Sequence, residues 1–215
     1  LRQSGDEVWP YVAIYPVSPY MNVFTDQPAL LNRLRFWHGE KFGVQGDLYW
    51  SVNYWPYNPW TTAMSSSSYS PGDGALLYPP VRERPTEPVI QAPLNSLRWE
   101  LVREALEDRE YFWVLKQLLE RARTRLAPRH PALVEGDAAR DAAWALVTSA
   151  STYEQDPLAL YAARVRLAEA IEAFGDGVPF VVRQPASRAV GWNEPLVLRT
   201  EALGWPLPAY QWRLE

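Results

Sequence analysis

Short runs of β-branched and aromatic residues alternate with longer stretches of helical spacing along the first half of the chain. Val8 to Tyr15 (VWPYVAIY) has strand composition, and Pro10 confines its first part to the approach. A proline-rich loop comes next, through Pro16, Pro19 and Asn22. From Ala29 to Phe42 the apolar residues Leu30, Leu34 and Trp37 recur at helical spacing, with Pro28 near the start and Gly43 in the usual closing position. Gly46 to Val52 predicts a second strand. Strand, helix and strand in this order make a βαβ unit, which implies parallel pairing. A long loop covers Asn53 to Asp73 and includes Ser65 to Ser68; loops of that length in a compact domain are usually functional or disordered. Gly74 to Tyr78 (GALLY) predicts a third strand, expected beside the first two and running the same way. Pro79 to Pro93 is a second proline-rich connection.

The next part is helical. Asn95 or Ser96 caps the longest predicted helix, which runs to about Leu126. Leu97, Leu101, Ala105, Phe112, Leu115 and Leu119 form its buried stripe. Arg98, Glu100, Arg103, Glu104 and Glu107 form its charged side, with Arg103 and Glu107 spaced to pair. Pro128 and Pro131 break it. Two more helices are expected over Asp137 to Ser149 and Pro157 to Phe174, the second carrying Ala162, Val165, Leu167, Ala168 and Ile171 as apolar positions. Gly175 and Gly177 close this region. Phe180 to Val182, Leu196 to Thr200 and Tyr210 to Trp212 then read as short strands, the opening of an Ig-like β-sandwich. The expected division is residues 1–128, a helical extension over 129–177 and an incomplete β-sandwich module over 178–215. Leu1 is not Met and the sandwich does not close before Glu215, so a longer parent protein is expected.

Charge and composition narrow the function. The net charge of −4 is mixed in sign and leaves no basic patch, so nucleic acid is not an expected partner. The absence of Cys excludes thiolate metal sites, disulfides and a Cys nucleophile. His38 and His130 are the only histidines, which argues against a His-based metal site or a Ser-His-Asp triad. No metal or organic cofactor is indicated. No apolar run reaches membrane-spanning length.

Residues Gly46 to Trp60 read GDLYWSVNYWPYNPW, with six rings in fifteen residues. Rings interleaved with Pro and Asn at that density cannot all be core. Flat apolar faces with polar tips suit a sugar, stacking on C–H groups while N–H and O–H groups bond hydroxyls. Asn53 and Trp55 come directly after a strand end; the amide can donate and accept, and the indole can stack. Tyr49 and Trp50 alternate along the strand, so at most one of them faces the interior. Tyr20 and Asn22 lie on the loop after the first strand, and Tyr78 closes the third. The expected substrate-binding set is therefore Asn53, Trp55, Trp50, Tyr49, Tyr20, Asn22 and Tyr78. Asp73 is expected to fix the long loop by bonding backbone N–H groups, and Trp60 to be loop packing.

The succession YPVSPYMNVFTDQPALLNRLRFWHGEKFGVQGDLYWSVNYW, then GDGALLYPP, then NSLRWELVREALEDREYFWVLKQL resembles the C-terminal part of the catalytic domain of glycoside hydrolase family 123. The resemblance covers about Asp6 to Leu119, a stretch also classed among uncharacterised domains of large bacterial proteins. It implies an α/β fold, a (β/α)₈ TIM barrel of which this chain holds roughly the last three strands. It also implies an exo-acting β-N-acetylgalactosaminidase with a substrate-assisted, retaining mechanism, in which an adjacent Asp-Glu pair orients the acetamido group and supplies the general acid. That pair is expected upstream of Leu1. Asp6-Glu7 precedes its strand and so falls at the wrong face of a barrel, and Glu107-Asp108 lies mid-helix in a solvated or helix-pairing role. No catalytic residue is therefore assigned within the chain, which is expected to be inert alone. The implied partners are a glycan or glycoconjugate, the rest of the barrel upstream and β-sandwich modules downstream, in an extracellular, cell-surface or periplasmic setting. Two rival readings are a non-catalytic carbohydrate-binding or surface-scaffold protein with a degenerate barrel, and an aromatic-rich structural domain with no glycan partner.

Overall fold

The computed structural model describes residues 5–64, 68–80, 92–124, 126–175, 180–183, 185–187, 189–191, 194–203 and 209–211. Strand β1 (Tyr11–Val12), helix α1 (Leu31–Phe42) and strand β2 (Leu48–Tyr49) form the expected unit. β1 and β2 are parallel, with Tyr11 opposite Leu48 and Val12 opposite Tyr49. Both are shorter than the sequence pattern suggests. Pro10 accepts from the Leu48 N–H but has none to donate, and past Val12 the Ala13 N–H turns back to the Tyr15 carbonyl. Helix α1 ends as expected at Gly43, whose left-handed φ of 65° costs glycine nothing.

The third strand departs from expectation. β3 (Leu77–Tyr78) pairs antiparallel with β4 (Leu94–Asn95), and just before it Asn53 bridges Ala75, also antiparallel. A parallel return needs a crossover, usually a helix. The described residues of the 53–73 excursion contain none; the excursion folds back on itself through a bridge between Met64 and Pro71. The chain therefore comes home in the opposite direction, and the Leu77 N–H bonds the Val52 carbonyl at 2.8 Å.

Helix α2 (Leu97–Arg123) starts where expected, the Ser96 hydroxyl accepting from the Trp99 N–H. Helix α3 (Pro131–Ala145) begins at Pro131, not Asp137, because His130 caps it and proline suits a first turn. The residues after α3 leave the helix: β5 (Val147–Ser149) and β6 (Thr152–Tyr153) make a tight hairpin before α4 (Pro157–Gly175). β7 (Phe180–Arg183) begins at the expected residue, but its antiparallel partner is β8 (Glu201–Leu203), and Leu196 to Thr200 are irregular. Tyr210 and Gln211 lie in no strand. Ser65 to Ser67, residues 81–91, Gly177 and Trp212 lie outside the described residues.

One apolar core serves all four helices. Leu31, Leu34 and Trp37 of α1 meet Leu115 and Leu119 of α2, Ala139 and Ala143 of α3, and Leu160 and Leu167 of α4. The expected helical extension thus shares its core with α1 and α2. A smaller cluster of Val12, Val23 and Leu76 lies under the strands.

Two charged residues of α2 are embedded, and the predicted sides of that helix need correction. Leu97 is 67% exposed, whereas Arg98 is buried. The Arg98 guanidinium donates to the carbonyls of Val23, Gly72 and Ala75 at 2.6, 2.9 and 2.5 Å, pinning two loop segments to the helix start. Asp108 is fully buried. Its carboxylate accepts from Arg33 at 2.8 and 2.9 Å, from the Trp37 indole N–H at 2.9 Å and from Arg164 at 2.8 Å. One carboxylate therefore joins α1, α2 and α4. Glu107 stays on the surface, where it pairs with Arg103 at 2.6 Å.

Truncating Asp108 would strand the buried Arg33 guanidinium without its counter-charge. Asp108→Ala is expected to cost about 3–5 kcal/mol in denaturant unfolding. A loss below about 1 kcal/mol, the range of a surface pair, would show that the network is not a structural hub.

Candidate functional site: an aromatic loop anchored on Asp73

The aromatic loop is built around one buried carboxylate. Asp73 is 1% exposed and accepts from the Tyr49 hydroxyl at 2.9 Å and from the Trp50 indole N–H at 3.1 and 3.2 Å. The Tyr49 hydroxyl in turn accepts from the Gly74 N–H at 2.6 Å. Strand alternation predicts that Tyr49 and Trp50 diverge. Their polar tips converge instead, because the ladder ends at Tyr49 and the chain bends at Trp50. Asp73 does fix the loop, but through side-chain donors rather than the backbone N–H groups expected. Gly74 is required: at φ 72°, any Cβ would sit 2.6 Å from the Trp50 ring lying on it.

Burial pushes the Tyr49 phenol well above its ordinary value, and the neighbouring Asp73 carboxylate adds to that rise. The Gly74 N–H and the Arg98 charge oppose it. Tyr49 is thus held as a neutral donor to Asp73.

Above this anchor the rings stand open. Trp50 is 40% and Tyr54 44% exposed, their centroids 4.9 Å apart and planes at 60°. Asn53 beside them is exposed. Trp55 is half-buried, and its indole N–H is taken by the Leu77 carbonyl at 2.9 Å, which leaves the ring face but not the polar tip for a ligand. Tyr20 is half-exposed on the β1–α1 loop. Asn22 is fully buried: its amide donates to the Ala13 and Pro16 carbonyls and accepts from the Val23 N–H, so it shapes that loop and cannot reach a ligand. Tyr49 is likewise spent on the anchor. At the far end of the loop, Trp60 donates its N–H to the Pro79 carbonyl and leans on Tyr78 at 4.9 Å. Sequence reasoning gives Trp60 to loop packing; its ring is 48% exposed and lines a cleft with Tyr78 and Asn95.

A sequence model of one family, described as "Glycoside hydrolase 123, catalytic domain", matches residues 1–115. That span is more than half of the chain and includes Asp73, Arg98, Asp108 and the whole aromatic loop. The chain belongs to glycoside hydrolase family 123. No protein of curated function matches it. Membership of a glycoside hydrolase family points to a glycan as substrate, and none of the described helices is long and apolar enough to cross a membrane. Within the family span, the structure leaves two ring pairs at the surface, exposed Trp50 and Tyr54 beside Asn53, and exposed Trp60 with half-buried Tyr78.

The anchor predicts an alkaline signature. Tyr49 stays protonated in the fold while the unfolded chain ionises near the ordinary value of about 10. Its contribution to stability is therefore complete below that pH and is lost as the pH rises past it. Tyr49→Phe is expected to cost about 1–3 kcal/mol at neutral pH. Above about pH 10 its unfolding free energy should fall less steeply than the parent's, by up to ~1.4 kcal/mol per pH unit. Denaturant midpoints taken across that range check this; parallel slopes would sink it.

Proposed function

We propose that this chain forms the substrate-holding aromatic side of an enzyme that removes terminal N-acetylhexosamine residues, with β-N-acetylgalactosaminides as substrates and a substrate-assisted, retaining mechanism. One observation carries the reading: inside the family span, a solvent-open Trp50–Tyr54 pair is locked to Asp73 beside the exposed Asn53 amide. Rings held in advance stack on a sugar without losing rotamer freedom at the moment of binding. The amide of Asn53 is suited to a hydroxyl or an acetamido group.

The chemistry needs a carboxylate pair beside this surface. Asp6 and Glu7 are exposed ahead of β1, and the Glu7 carboxylate is occupied by the Trp9 indole N–H at 2.9 Å. Asp108 is enclosed by Arg33, Trp37 and Arg164. We therefore assign the catalytic pair to an upstream part of a longer, exported protein. In this reading residues 1–128 are the last part of a barrel, 129–177 its helical extension and 178–215 the start of a β-sandwich module. The parallel β1–α1–β2 unit supports a barrel portion; β3 does not continue its parallel sheet. The second reading, a carbohydrate binder without catalysis, is favoured by the same lack of a free carboxylate pair among the described residues of the aromatic loop.

Both readings require sugar binding by the chain. N-acetylgalactosamine is expected to change its tryptophan fluorescence, and Asn53→Ala to weaken that binding about tenfold. The chain alone is expected to release no nitrophenol from p-nitrophenyl β-N-acetylgalactosaminide. Release above background would overturn the upstream assignment, and absence of binding would overturn the glycan reading. Hydrolysis by the longer protein distinguishes the enzyme from the binder.

A further inference from the structure

We propose that the cleft between Trp60 and Asn95 is a second sugar subsite, which takes the neutral pyranose ring adjoining the one held at Trp50 and Tyr54. This rests on the glycan reading above. The cleft encloses about 530 Å³, within the range of small-ligand sites, and is walled by Phe24, Thr25, Trp60, Tyr78 and Asn95. Trp60 and Tyr78 meet at 56°, which makes a bent apolar wall rather than a flat stack. The hydrogen bond from the Trp60 indole to the Pro79 carbonyl fixes the ring with nearly half its surface open.

The polar side of the cleft is also set in advance. Asn95 donates from its amide nitrogen to Glu100 at 2.6 Å, and Glu100 accepts from Arg103 at 3.0 Å. That chain leaves the Asn95 amide oxygen as an acceptor. The Tyr78 and Thr25 hydroxyls make no side-chain hydrogen bond to the described residues. An apolar bent wall facing an amide oxygen and two hydroxyls matches a sugar ring, which has a C–H face and a hydroxyl rim. The charge pattern selects a neutral one. Arg98 lines the cleft, but its guanidinium is turned to three backbone carbonyls, and Glu100, which holds Asn95, is paired with Arg103, so neither offers an unpaired charge to a ring in the cleft. Gly74, under Trp50, and Tyr78, against Trp60, are four residues apart, at most about 13 Å at ~3.3 Å per residue. That span is within the reach of one short oligosaccharide.

Fluorine NMR on the full chain labelled with fluorotryptophan separates the two sites, with the resonances assigned by Trp50→Phe and Trp60→Phe. N-acetylgalactosamine should move the Trp50 resonance. A disaccharide carrying β-linked N-acetylgalactosamine at its non-reducing end should move both, and bind more tightly. Asn95 is exposed, so Asn95→Ala should leave the other tryptophan resonances in place. It should remove the Trp60 response, weaken the disaccharide about tenfold and leave the monosaccharide response at Trp50 unchanged. A Trp60 resonance that stays still up to the solubility limit of the disaccharide overturns the proposal, as does one that moves equally in Asn95→Ala. A response at Trp60 with none at Trp50 removes the Trp50 face from the functional reading and keeps the cleft as a sugar site.

Discussion

The carboxylate of Asp108 holds this fold together. Two guanidinium groups and an indole N–H converge on this fully buried group, where an unpaired charge would cost several kcal/mol. Because the donors come from α1 and α4 and the acceptor from α2, the helices cannot slide or rotate independently. The apolar contacts of Trp37, Leu115 and Leu167 fill the space around a geometry that this charge cluster specifies. Arg33 also lies over the Tyr161 ring at 5.4 Å and Arg164 over Tyr111 at 4.7 Å, so each cation meets a ring as well as an anion.

That helical frame reaches the aromatic loop through the first turn of α2. Once α2 is fixed, Arg98 carries its guanidinium to the carbonyls of Val23, Gly72 and Ala75. The last two bracket Asp73, the residue on which Tyr49 and Trp50 converge. A line of hydrogen bonds thus runs from the helix core to the aromatic surface. The rings are exposed but not free: Trp50, Trp55 and Trp60 each have their N–H engaged, by Asp73, Leu77 and Pro79. A surface of this kind presents apolar faces at little entropic cost.

Much of this is legible in the sequence. The βαβ order, the Gly43 stop, the Ser96 cap and the Arg103–Glu107 pair obey local rules, and the family motifs are contiguous runs. The departures have physical causes. Pro131 reads as a breaker and serves as a starter, since a proline fits both roles until the cap before it is known. Arg98 reads as a surface charge by residue type, and Asp108 as solvated or helix-pairing. Their register holds the better signal, because 98, 105, 108, 112, 115 and 119 step by three, four or seven along one helical face.

Taken alone, the sequence determined the family, the opening strand–helix–strand order and the presence of an aromatic loop, because each depends on neighbours in the chain. The tertiary structure decided which rings stay open and which polar groups are consumed. Asn22 looks like a ligand-binding amide and is spent on Ala13 and Pro16, while Trp60 looks like packing and lines a cleft. It also decided the direction of β3, because a loop without a crossover helix must return antiparallel. Those outcomes turn on partners well separated in the chain, as Trp55 and Leu77 or Trp60 and Pro79 are, and no local pattern encodes a partner at that distance.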